Sequence, residues 1–463
     1  MSNVDLARLQ FALTTIYHFL FVPLTIGLGF LTALLQTSWH RKGRPEDLRL
    51  TKFFGTLLII NIAVGIVTGL VQEFQFGMNW SSYSRFVGDV FGAPLAMETL
   101  AAFFLESVFL GLWLFGWNRL PRRVHLATIW AVAVGGALSA MFIMAANSWM
   151  QRPVGYTINP SNGRAQLTDI WAVMTNTVFI WAYIHVLLAA LVTAGAVMLG
   201  VSAWHLRRRS SPEVFIRSAR LALIVLVPAT LFNLMVGSHL GVVETTYQPM
   251  KIAAAEANWN TCGPCSFSVF QIGGGNNDQT PTKIIQIPHL LSLLSTDSWN
   301  GTVQGLNQLQ AQYEQQYGPG NYIPNVFIQY WGMRVMAYGG ALILLLSLVA
   351  GLQLLRGRLA QSRRLLFFAV WLAPLPFIMN IAGWLLTESG RQPWIVQGLQ
   401  LVRDGVSPSV SRGMVITSVI IFVVLYGILA IVDTVLMTHY ARKQLAPEQE
   451  EAAEAEEDLE FIY

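Results

Sequence analysis

Charged residues are scarce in this sequence: Asp, Glu, Lys and Arg make up only 12% of its 463 residues. Soluble domains carry about 25%. Hydrophobic residues account for 54%, so the composition excludes an ordinary soluble domain and indicates a multi-pass membrane protein. The formal net charge of +4 does not indicate nucleic-acid binding, because the basic residues lie in short loops rather than on one face. We therefore expect membrane lipid, and no nucleic acid, as a partner.

Cysteine is almost absent too. Cys262 and Cys265 are the only two cysteines, in the motif Cys-Gly-Pro-Cys, and this spacing suits a redox disulfide, a structural disulfide or half of a metal site. The lack of a second pair excludes a Cys-only tetrahedral zinc site within one chain. We hypothesise a disulfide that stiffens the surrounding polar loop. Residues 1–10 have no basic region typical of a secretory signal, so we expect the first apolar run to be a membrane helix.

Nine apolar runs are long enough to cross the hydrocarbon core of a membrane. They cover 11–37, 53–76, 92–117, 126–148, 171–203, 219–242, 326–354, 365–387 and 412–438. Basic residues cluster after the odd-numbered runs, in the segments 41–52, 119–123, 207–220, 356–364 and 442–443. By the positive-inside rule these segments are cytoplasmic. The sequence thus predicts an all-α fold of nine transmembrane helices, with the N-terminus outside and the C-terminus in the cytoplasm.

The same pattern divides the chain into four regions. Residues 1–242 carry helices one to six, and 243–325 form one long polar loop on the outer face, rich in Gly, Asn and Gln. Residues 326–440 carry helices seven to nine. Residues 441–463 form an acidic cytoplasmic tail, to which we assign no chemistry.

The third run contains two acids, Glu98 and Glu106. An ionised carboxylate at mid-membrane depth costs at least about 2.5 kcal/mol on insertion scales. Eight residues of α-helix place the two acids about 12 Å apart along the axis and roughly 80° apart around it, so both can face one interior seam. They are either protonated hydrogen-bonding groups between helices or groups that hold metal or move protons.

Two histidines, His18 and His185, lie within the first and fifth runs among aromatic residues. A buried histidine is often a hydrogen-bonded core residue, but imidazole also suits haem iron. Met336 lies at a depth that matches His185, and Glu388 ends the eighth run on the same side. Arg334 and Arg391, near the outer ends of their runs, would anchor lipid headgroups or pair with haem propionates.

Several blocks of sequence, in order, resemble subunit I of the cytochrome bd-type quinol oxidases, and the resemblance extends from residue 1 to about residue 440. The blocks are Tyr17-His-Phe-Leu-Phe-Val-Pro-Leu-Thr25, Gly69-Leu-Val-Gln-Glu-Phe-Gln-Phe-Gly-Met-Asn-Trp80, Val87-Gly-Asp-Val-Phe-Gly-Ala-Pro-Leu-Ala96, Ala102-Phe-Phe-Leu-Glu-Ser107, Ala146-Asn-Ser-Trp-Met-Gln151, Lys251-Ile-Ala-Ala-Ala-Glu-Ala-Asn-Trp259 and Glu388-Ser-Gly-Arg-Gln-Pro-Trp394. The loop after Lys251 is similar to the short type of the family's quinol-binding loop, except for Cys-Gly-Pro-Cys, which departs from its pattern.

The resemblance implies three haems. His185 and Met336 match the axial ligands of a low-spin haem b that takes electrons from quinol. His18 and Glu388 match the ligands of the oxygen-reacting pair, high-spin haem b and haem d, and which of the two holds which haem is left open. Glu98 matches a residue beside haem d, as a further iron ligand or as a proton donor.

The remaining matches concern the proton path, the quinol site and the residues that support the haems. Glu106 matches a proton-path acid, with Ser139 a further station on that path. Lys251 and Glu256 match the quinol-binding pair. The family's residues that support the haems or the proton route are matched in this chain by Arg8, Asn147, Trp384, Arg334 and Arg391. The family also implies a second large membrane subunit, small single-span subunits in some members, and a bacterial cytoplasmic membrane.

The predicted function is a terminal respiratory oxidase that oxidises quinol at the outer face and reduces O2 to water with cytoplasmic protons, without a dedicated pump. Whether the quinol is ubiquinol or menaquinol stays open. Two alternatives remain at this point. A transporter would also bury acids within its helices, and a b-type cytochrome that only passes electrons onward would use His185 and Met336 alone.

Overall fold

The computed structural model describes residues 2–445 and consists largely of long apolar helices. Within this range nine helices are long and apolar enough to cross a membrane, as the sequence predicts, and we number them spans 1 to 9. They are Asn3–Lys42, Pro45–Met78, Ser81–Phe115, Arg122–Gln151, Thr177–Arg208, Pro212–Tyr247, Val326–Leu355, Arg363–Gly390 and Arg412–Arg442. From residue 446 onward the predicted acidic tail lies outside the described residues.

Three spans are composite, and short elements occupy the connections. The α-helices are Asn3–His18, Phe21–Lys42, Pro45–Met78, Ser81–Met97, Phe104–Phe115, Arg122–Gln151, Ile170–Met174, Thr177–Arg208, Pro212–Tyr247, Pro249–Ala255, Leu290–Thr296, Leu306–Tyr317, Val326–Leu355, Arg363–Leu372, Leu375–Gly390, Val402–Gly405 and Arg412–Arg442. A π-helix covers Glu98–Phe103 and a 3-10 helix covers Leu359–Gln361. Antiparallel strand pairs join Tyr156–Ile158 to Ala165–Leu167, Phe267–Ile272 to Thr282–Ile287, and Trp394–Val396 to Gln400–Leu401.

Prolines account for two of the interruptions. In span 1 the helix stops at His18 and restarts at Phe21. Pro23 has no N–H to donate to the carbonyl of Phe19, four residues back. Span 8 breaks in the same way between Leu372 and Leu375, on either side of Pro374.

Spans 1, 2, 4, 5 and 6 supply most of the core, and small residues let their backbones approach closely. Gly27 of span 1 faces Ala190 and Ala194 of span 5, and a Cβ at Gly195 of span 5 would lie 3.1 Å from Leu226 Cβ of span 6. Such close contacts are the usual source of helix association in membranes. Spans 3 and 9 are the least buried of the nine described spans.

One end of the bundle carries the N-terminus and the connections 79–80, 152–176, 248–325 and 391–411, and we call it the loop-rich end. Its segments bond to one another: Gln397 N donates to Met150 O at 2.9 Å, and Ser407 N donates to Asn79 O at 2.8 Å. The longest connection holds a disulfide between Cys262 and Cys265. The helix of span 6 continues to Tyr247, beyond residue 242 where the apolar run ends.

Candidate functional site

One cavity collects most of the predicted site residues. It measures about 710 Å³ and lies between spans 1, 2, 3, 4 and 8, next to the loop-rich end. Cofactor and small-molecule sites typically have volumes of about 300–1,000 Å³. The predicted residues in its wall are Arg8, His18, Glu98, Glu106, Ser139, Asn147, Trp384, Glu388 and Arg391. Residues far apart in sequence therefore share one cavity.

His18 ends the first helix of span 1, and its ring lines the cavity. Its Nδ1 lies 3.0 Å from Oγ1 of Thr68. With its hydroxyl hydrogen turned to the carbonyl of Val64 or of Gly65, each 3.0 Å away, the Thr68 oxygen accepts from Nδ1–H. Nε2 consequently keeps its lone pair, which is the state that binds iron. Gly69 makes room beside the ring, since a Cβ there would lie 3.2 Å from His18 Cε1.

Both carboxylate oxygens of Glu388 are held by neighbouring side chains. Asn147 Nδ2 donates to Oε1 and Arg391 Nη2 donates to Oε2, each at 2.6 Å. Arg391 is buried, and its Nε and Nη1 have no hydrogen-bond partner among the described residues. Buried guanidinium donors without a partner call for an anion. A haem propionate in the cavity would supply one.

Glu98 and Glu106 lie closer in azimuth than an ideal α-helix allows. The π-helix Glu98–Phe103 separates them, and a π turn bonds residues five apart instead of four. Because of this extra residue, eight residues rotate about as far as seven α-helical ones, roughly 700°, which is within about 20° of two full turns. This value replaces the 80° expected from the sequence. Both acids accordingly line the same cavity.

The two acids have different neighbours. Ser139 Oγ donates to Glu98 Oε1 at 2.6 Å, so this serine holds Glu98. Glu106 packs against Gly135 and Gly136 of span 4, where a Cβ at Gly136 would lie 3.8 Å from Glu106 Oε2. Span 4 thus supplies a hydroxyl to one acid and a glycine surface to the other.

His185 and Met336, the predicted axial pair, lie outside this cavity on spans 5 and 7. Each faces a glycine of a neighbouring span. A Cβ at Gly237 would lie 3.1 Å from His185 Cε1, and a Cβ at Gly383 would lie 3.0 Å from Met336 Sδ. The two facing glycines leave room beside both side chains, which suits a flat cofactor held between helices.

This set of donors fits haem better than a metal ion held by protein ligands alone. Within residues 2–445, no three or more His, Cys, Asp or Glu side chains are grouped to hold a metal ion. Haem iron needs only one or two protein ligands, because the porphyrin nitrogens occupy its other positions. Single ligands on separate spans, as at His18, His185 and Glu388, are therefore sufficient.

The predicted quinol-binding residues, Lys251 and Glu256, have separate partners. Lys251 Nζ donates to Gln151 Oε1 at 2.5 Å and to Glu244 Oε2 at 2.8 Å. Glu256 Oε2 accepts from Arg334 Nη2 at 2.7 Å. Lys251 lies within the short helix Pro249–Ala255 and Glu256 directly follows it, so the start of the long connection is tied to the bundle at two points.

Arg334 is engaged by this connection and does not line the cavity. Besides Glu256, its guanidinium donates to the carbonyls of Ala255 at 2.5 Å and Ser268 at 2.7 Å. It is 1% exposed. Of the two arginines predicted to lie beside haem, Arg391 therefore keeps free donors in the cavity wall, and Arg334 uses most of its donors to anchor the loop.

Burial governs the protonation of both residues of the predicted quinol site. Burial raises the pKa of Glu256 above its ordinary value, although the Arg334 and Lys283 cations act to lower it. Burial lowers the pKa of Lys251, against the opposing effect of Glu244. Burial thus acts against the charged form of each group, and the ion pairs of Lys251 with Glu244 and of Glu256 with Arg334 act in its favour.

Sequence reasoning missed several polar residues around these sites. Glu73 lies in span 2 and lines the cavity, and the rule that intramembrane acids are functional would have identified it. Thr68, Gln151 and Glu244 carry no such local signal. Thr68 and Gln151 gain their roles from partners 50 and 100 residues away.

A protein-family model described as cytochrome bd terminal oxidase subunit I matches residues 6–445. The chain is 45% identical over 431 residues to cytochrome bd ubiquinol oxidase subunit 1 of Bacillus subtilis (strain 168), which covers 93% of this chain and 91% of that protein. It is 37% identical over 497 residues to cytochrome bd-II ubiquinol oxidase subunit 1 of Escherichia coli (strain K12), covering 95% and 96%.

The fold is similar to that of a chain in the solved structure of bd oxidase from Geobacillus thermodenitrificans. The TM-score is 0.86 and the sequence identity is 28%, with 95% of this chain and 98% of that chain covered. Near-complete coverage in both directions means that the nine-span architecture is shared as a whole.

Proposed function

Because the chain belongs to the cytochrome bd terminal oxidase subunit I family, we propose that it oxidises quinol at its loop-rich end and reduces oxygen at the adjoining cavity. Membership of the family makes it a haem-bearing, multi-pass membrane subunit of a terminal respiratory quinol oxidase. The observation that carries the proposal is the cavity, which brings together His18, Glu98 and Glu388 from spans 1, 3 and 8.

The ligands divide into two groups. His185 and Met336 would hold a low-spin haem b between their spans. His18 and Glu388 would hold high-spin haem b and haem d in the cavity, with Glu98 as a further iron ligand or as proton donor. When bound, these haems store electrons and bind the oxygen that is reduced. The Nδ1–H bond from His18 to Thr68 supports this role, because it leaves Nε2 as the iron-binding nitrogen.

Quinol oxidation would take place between Lys251 and Glu256. Quinol gives up two electrons and two protons to become quinone, so the site needs an acceptor for each proton. Burial raises the pKa of Glu256, which makes its carboxylate a better base than an exposed one. Lys251 can donate a hydrogen bond to the quinol oxygen that loses its proton second, and Glu256 can accept that proton after it has released the first to water. Both residues lie at the loop-rich end, where the released protons can leave to water.

Oxygen reduction consumes protons, and the chain's own acids would deliver them. Glu106 would pass protons to Glu98, which Ser139 holds at 2.6 Å. If those protons come from the cytoplasm, each crosses most of the membrane, and a charge moved against 100 mV stores about 2.3 kcal/mol. Proton uptake from one side then makes the reaction electrogenic without a dedicated pump.

The working enzyme would include a second large membrane subunit. Small single-span subunits, as in some members of the family, would bind at the periphery of the complex. Spans 3 and 9 are largely exposed and apolar, so each meets either lipid or another subunit. The location would be a bacterial cytoplasmic membrane, with the loop-rich end outside, as the distribution of basic residues in the sequence indicates.

A reduced-minus-oxidised absorption spectrum of the purified enzyme, with quinol-dependent oxygen consumption, tests the proposal. We expect a low-spin haem b band, a red-shifted band of the haem d type, and oxygen uptake that depends on quinol. Absence of haem would indicate a transporter. A low-spin haem b band alone, without oxygen uptake, would indicate an electron carrier.

A further inference from the structure

An unbroken line of hydrogen bonds connects Lys251 to Glu388. Lys251 Nζ donates to Gln151 Oε1 at 2.5 Å, and Gln151 Nε2 donates to Asn147 Oδ1 at 3.0 Å. Asn147 Nδ2 then donates to Glu388 Oε1 at 2.6 Å. Two amide side chains thus join a residue of the proposed quinol site to a residue of the proposed oxygen site.

The chemistry of the two ends allows only one orientation of these amides. An ammonium group has donors and no acceptor, so the oxygen of Gln151 must face Lys251. An ionised carboxylate has acceptors and no donor, so the NH2 group of Asn147 must face Glu388. Both amide dipoles therefore point the same way between a cation and an anion. Bonds aligned in this manner polarise and strengthen one another in a low-dielectric interior.

The surroundings keep the Lys251 end of the line rigid and dry. Lys251 is 3% exposed and Gln151 is 2% exposed, so water does not compete for their bonds. Asn147 and Gln151 stand four residues apart on the last turn of span 4, which places them on one face of the helix. The backbone carbonyl of Gln151 also accepts from Gln248 Nε2 at 2.6 Å. Gln151 is consequently fastened both to its helix and to the start of the long connection.

Each end of the line is closed by an ion pair. Glu244 binds Lys251 at 2.8 Å, and Arg391 binds Glu388 at 2.6 Å. Neither amide in between gives up or takes a proton near neutral pH, so the line transmits position and electric field rather than protons.

We propose that Gln151 is a positioning residue that couples the quinol site to the oxygen site through Asn147. The inference rests on the proposed function of Lys251 and Glu388. When quinol accepts a hydrogen bond from the Lys251 ammonium that Gln151 holds in place, the ammonium shares its charge with the substrate, and its pull on the Gln151 amide and on Asn147 weakens. The hydrogen bond that Asn147 donates to Glu388 then weakens as well. The environment of the haem that Glu388 would hold therefore depends on whether quinol occupies its site.

Two substitutions of Gln151 separate coupling from simple packing. Gln151→Leu removes both bonds. We expect KM for quinol to rise about 10-fold, the effect of losing one hydrogen bond to a charged group. The spectrum of the cyanide-bound cavity haems should shift, and the low-spin haem band should not. Gln36→Leu removes another buried glutamine, at the opposite end of the bundle, and should change neither readout.

Gln151→Glu keeps an acceptor for Lys251 but reverses the direction of the hydrogen bonds between residue 151, Asn147 and Glu388. Asn147 must then turn its NH2 group toward residue 151 and its oxygen toward Glu388. We expect KM for quinol to stay within about 3-fold of the native value, since the bond to Lys251 is kept, and the cyanide-bound spectrum to shift at least as far as in Gln151→Leu.

The outcomes are read on holoenzyme of native haem content. A change in KM without a spectral shift in Gln151→Leu, or a native spectrum in Gln151→Glu, overturns the coupling. Native enzyme that lacks haem or quinol-dependent oxygen uptake would instead overturn the proposed function, so the two failures are distinct.

Discussion

At the residue scale, two of the acids in the cavity wall have hydrogen-bonding partners. Ser139 holds Glu98, and Asn147 and Arg391 hold Glu388. Such bonds offset part of the cost of placing polar and charged groups in a low-dielectric wall. Glu106 lies instead against the glycines of span 4, which leaves its carboxyl group available to exchange protons. The three acids thus differ in their contacts although they share one cavity.

Met336→Leu tests the axial pair. Leucine conserves the volume of methionine and removes the sulfur, so we expect the fold to be kept and the low-spin haem b spectrum to become high-spin or to disappear. The bands of the cavity haems should remain. Met333→Leu, one turn away on the same helix, is the matched control and should keep all bands. A native low-spin spectrum in Met336→Leu would exclude Met336 as a ligand.

Glu106→Gln tests the proton route. The amide keeps the shape of the side chain but cannot relay a proton, so we expect oxygen reduction to slow at least about 10-fold, in line with the loss of a proton-transfer group. Haem spectra should stay nearly native. Asp433→Asn, an acid of span 9 that does not line the cavity, serves as the control. Loss of haem in Glu106→Gln would point to a structural role instead.

At the scale of elements, the irregular parts of helices coincide with the proposed ligands. His18 is the last residue before the break in span 1, and Glu98 is the first residue of the π-helix in span 3. A regular helix would place both side chains at fixed azimuths. The break and the π turn change those azimuths locally, and π turns are frequent at functional sites for this reason.

The long connection supports a prediction on pH. If Glu256 acts as the base for quinol, kcat/KM for quinol rises with pH as this carboxyl group ionises. Burial raises its pKa and the Lys283 cation lowers it. Lys283→Gln removes that cation and raises the Glu256 pKa further. In a plot of kcat/KM for quinol against pH, the rising limb should therefore move to higher pH.

Two further variants complete that measurement. Glu256→Gln should abolish the rising limb, because the amide does not titrate. Arg403→Gln removes an exposed cation from another loop at the same end and should leave the limb in place. A limb that moves to lower pH in Lys283→Gln contradicts the assignment, since loss of a nearby cation cannot favour ionisation of a carboxyl group.

At the scale of the whole molecule, orientation decides whether the chemistry stores energy. Quinol oxidation and oxygen reduction would both lie near the loop-rich end, so net charge crosses the membrane only if protons reach the cavity from the other side. The predicted placement of the loop-rich end outside is therefore central to the energetics.

Reporter insertions test this orientation. A reporter active only after export, inserted after Gly163 in the connection 152–176, should be active. A reporter that folds only in the cytoplasm should be active after Gly357, between spans 7 and 8. The reciprocal insertions should both be silent. The reverse pattern would place the proposed quinol site in the cytoplasm and remove the proposed source of electrogenicity.

The fold followed closely from the sequence because membrane insertion depends on local properties. Nine apolar runs predicted nine spans, and the described residues contain nine. The ends were less predictable: the helix of span 6 continues to Tyr247, since Glu244 on its last turns finds Lys251 as a partner. Hydropathy alone does not register such a partner.

The sequence by itself determined which residues were candidates. A buried acid or a histidine within an apolar run is costly wherever its neighbours lie, and the family blocks pointed to the same positions. Tertiary structure decided which of them meet. Asn147 bonds Glu388 across 241 residues, and Arg334 bonds Glu256 across 78. Lys251 contacts Gln151 and Glu244 instead of Glu256. Helical periodicity assigns a face to each residue, but only the packing of the spans selects the face that lies opposite.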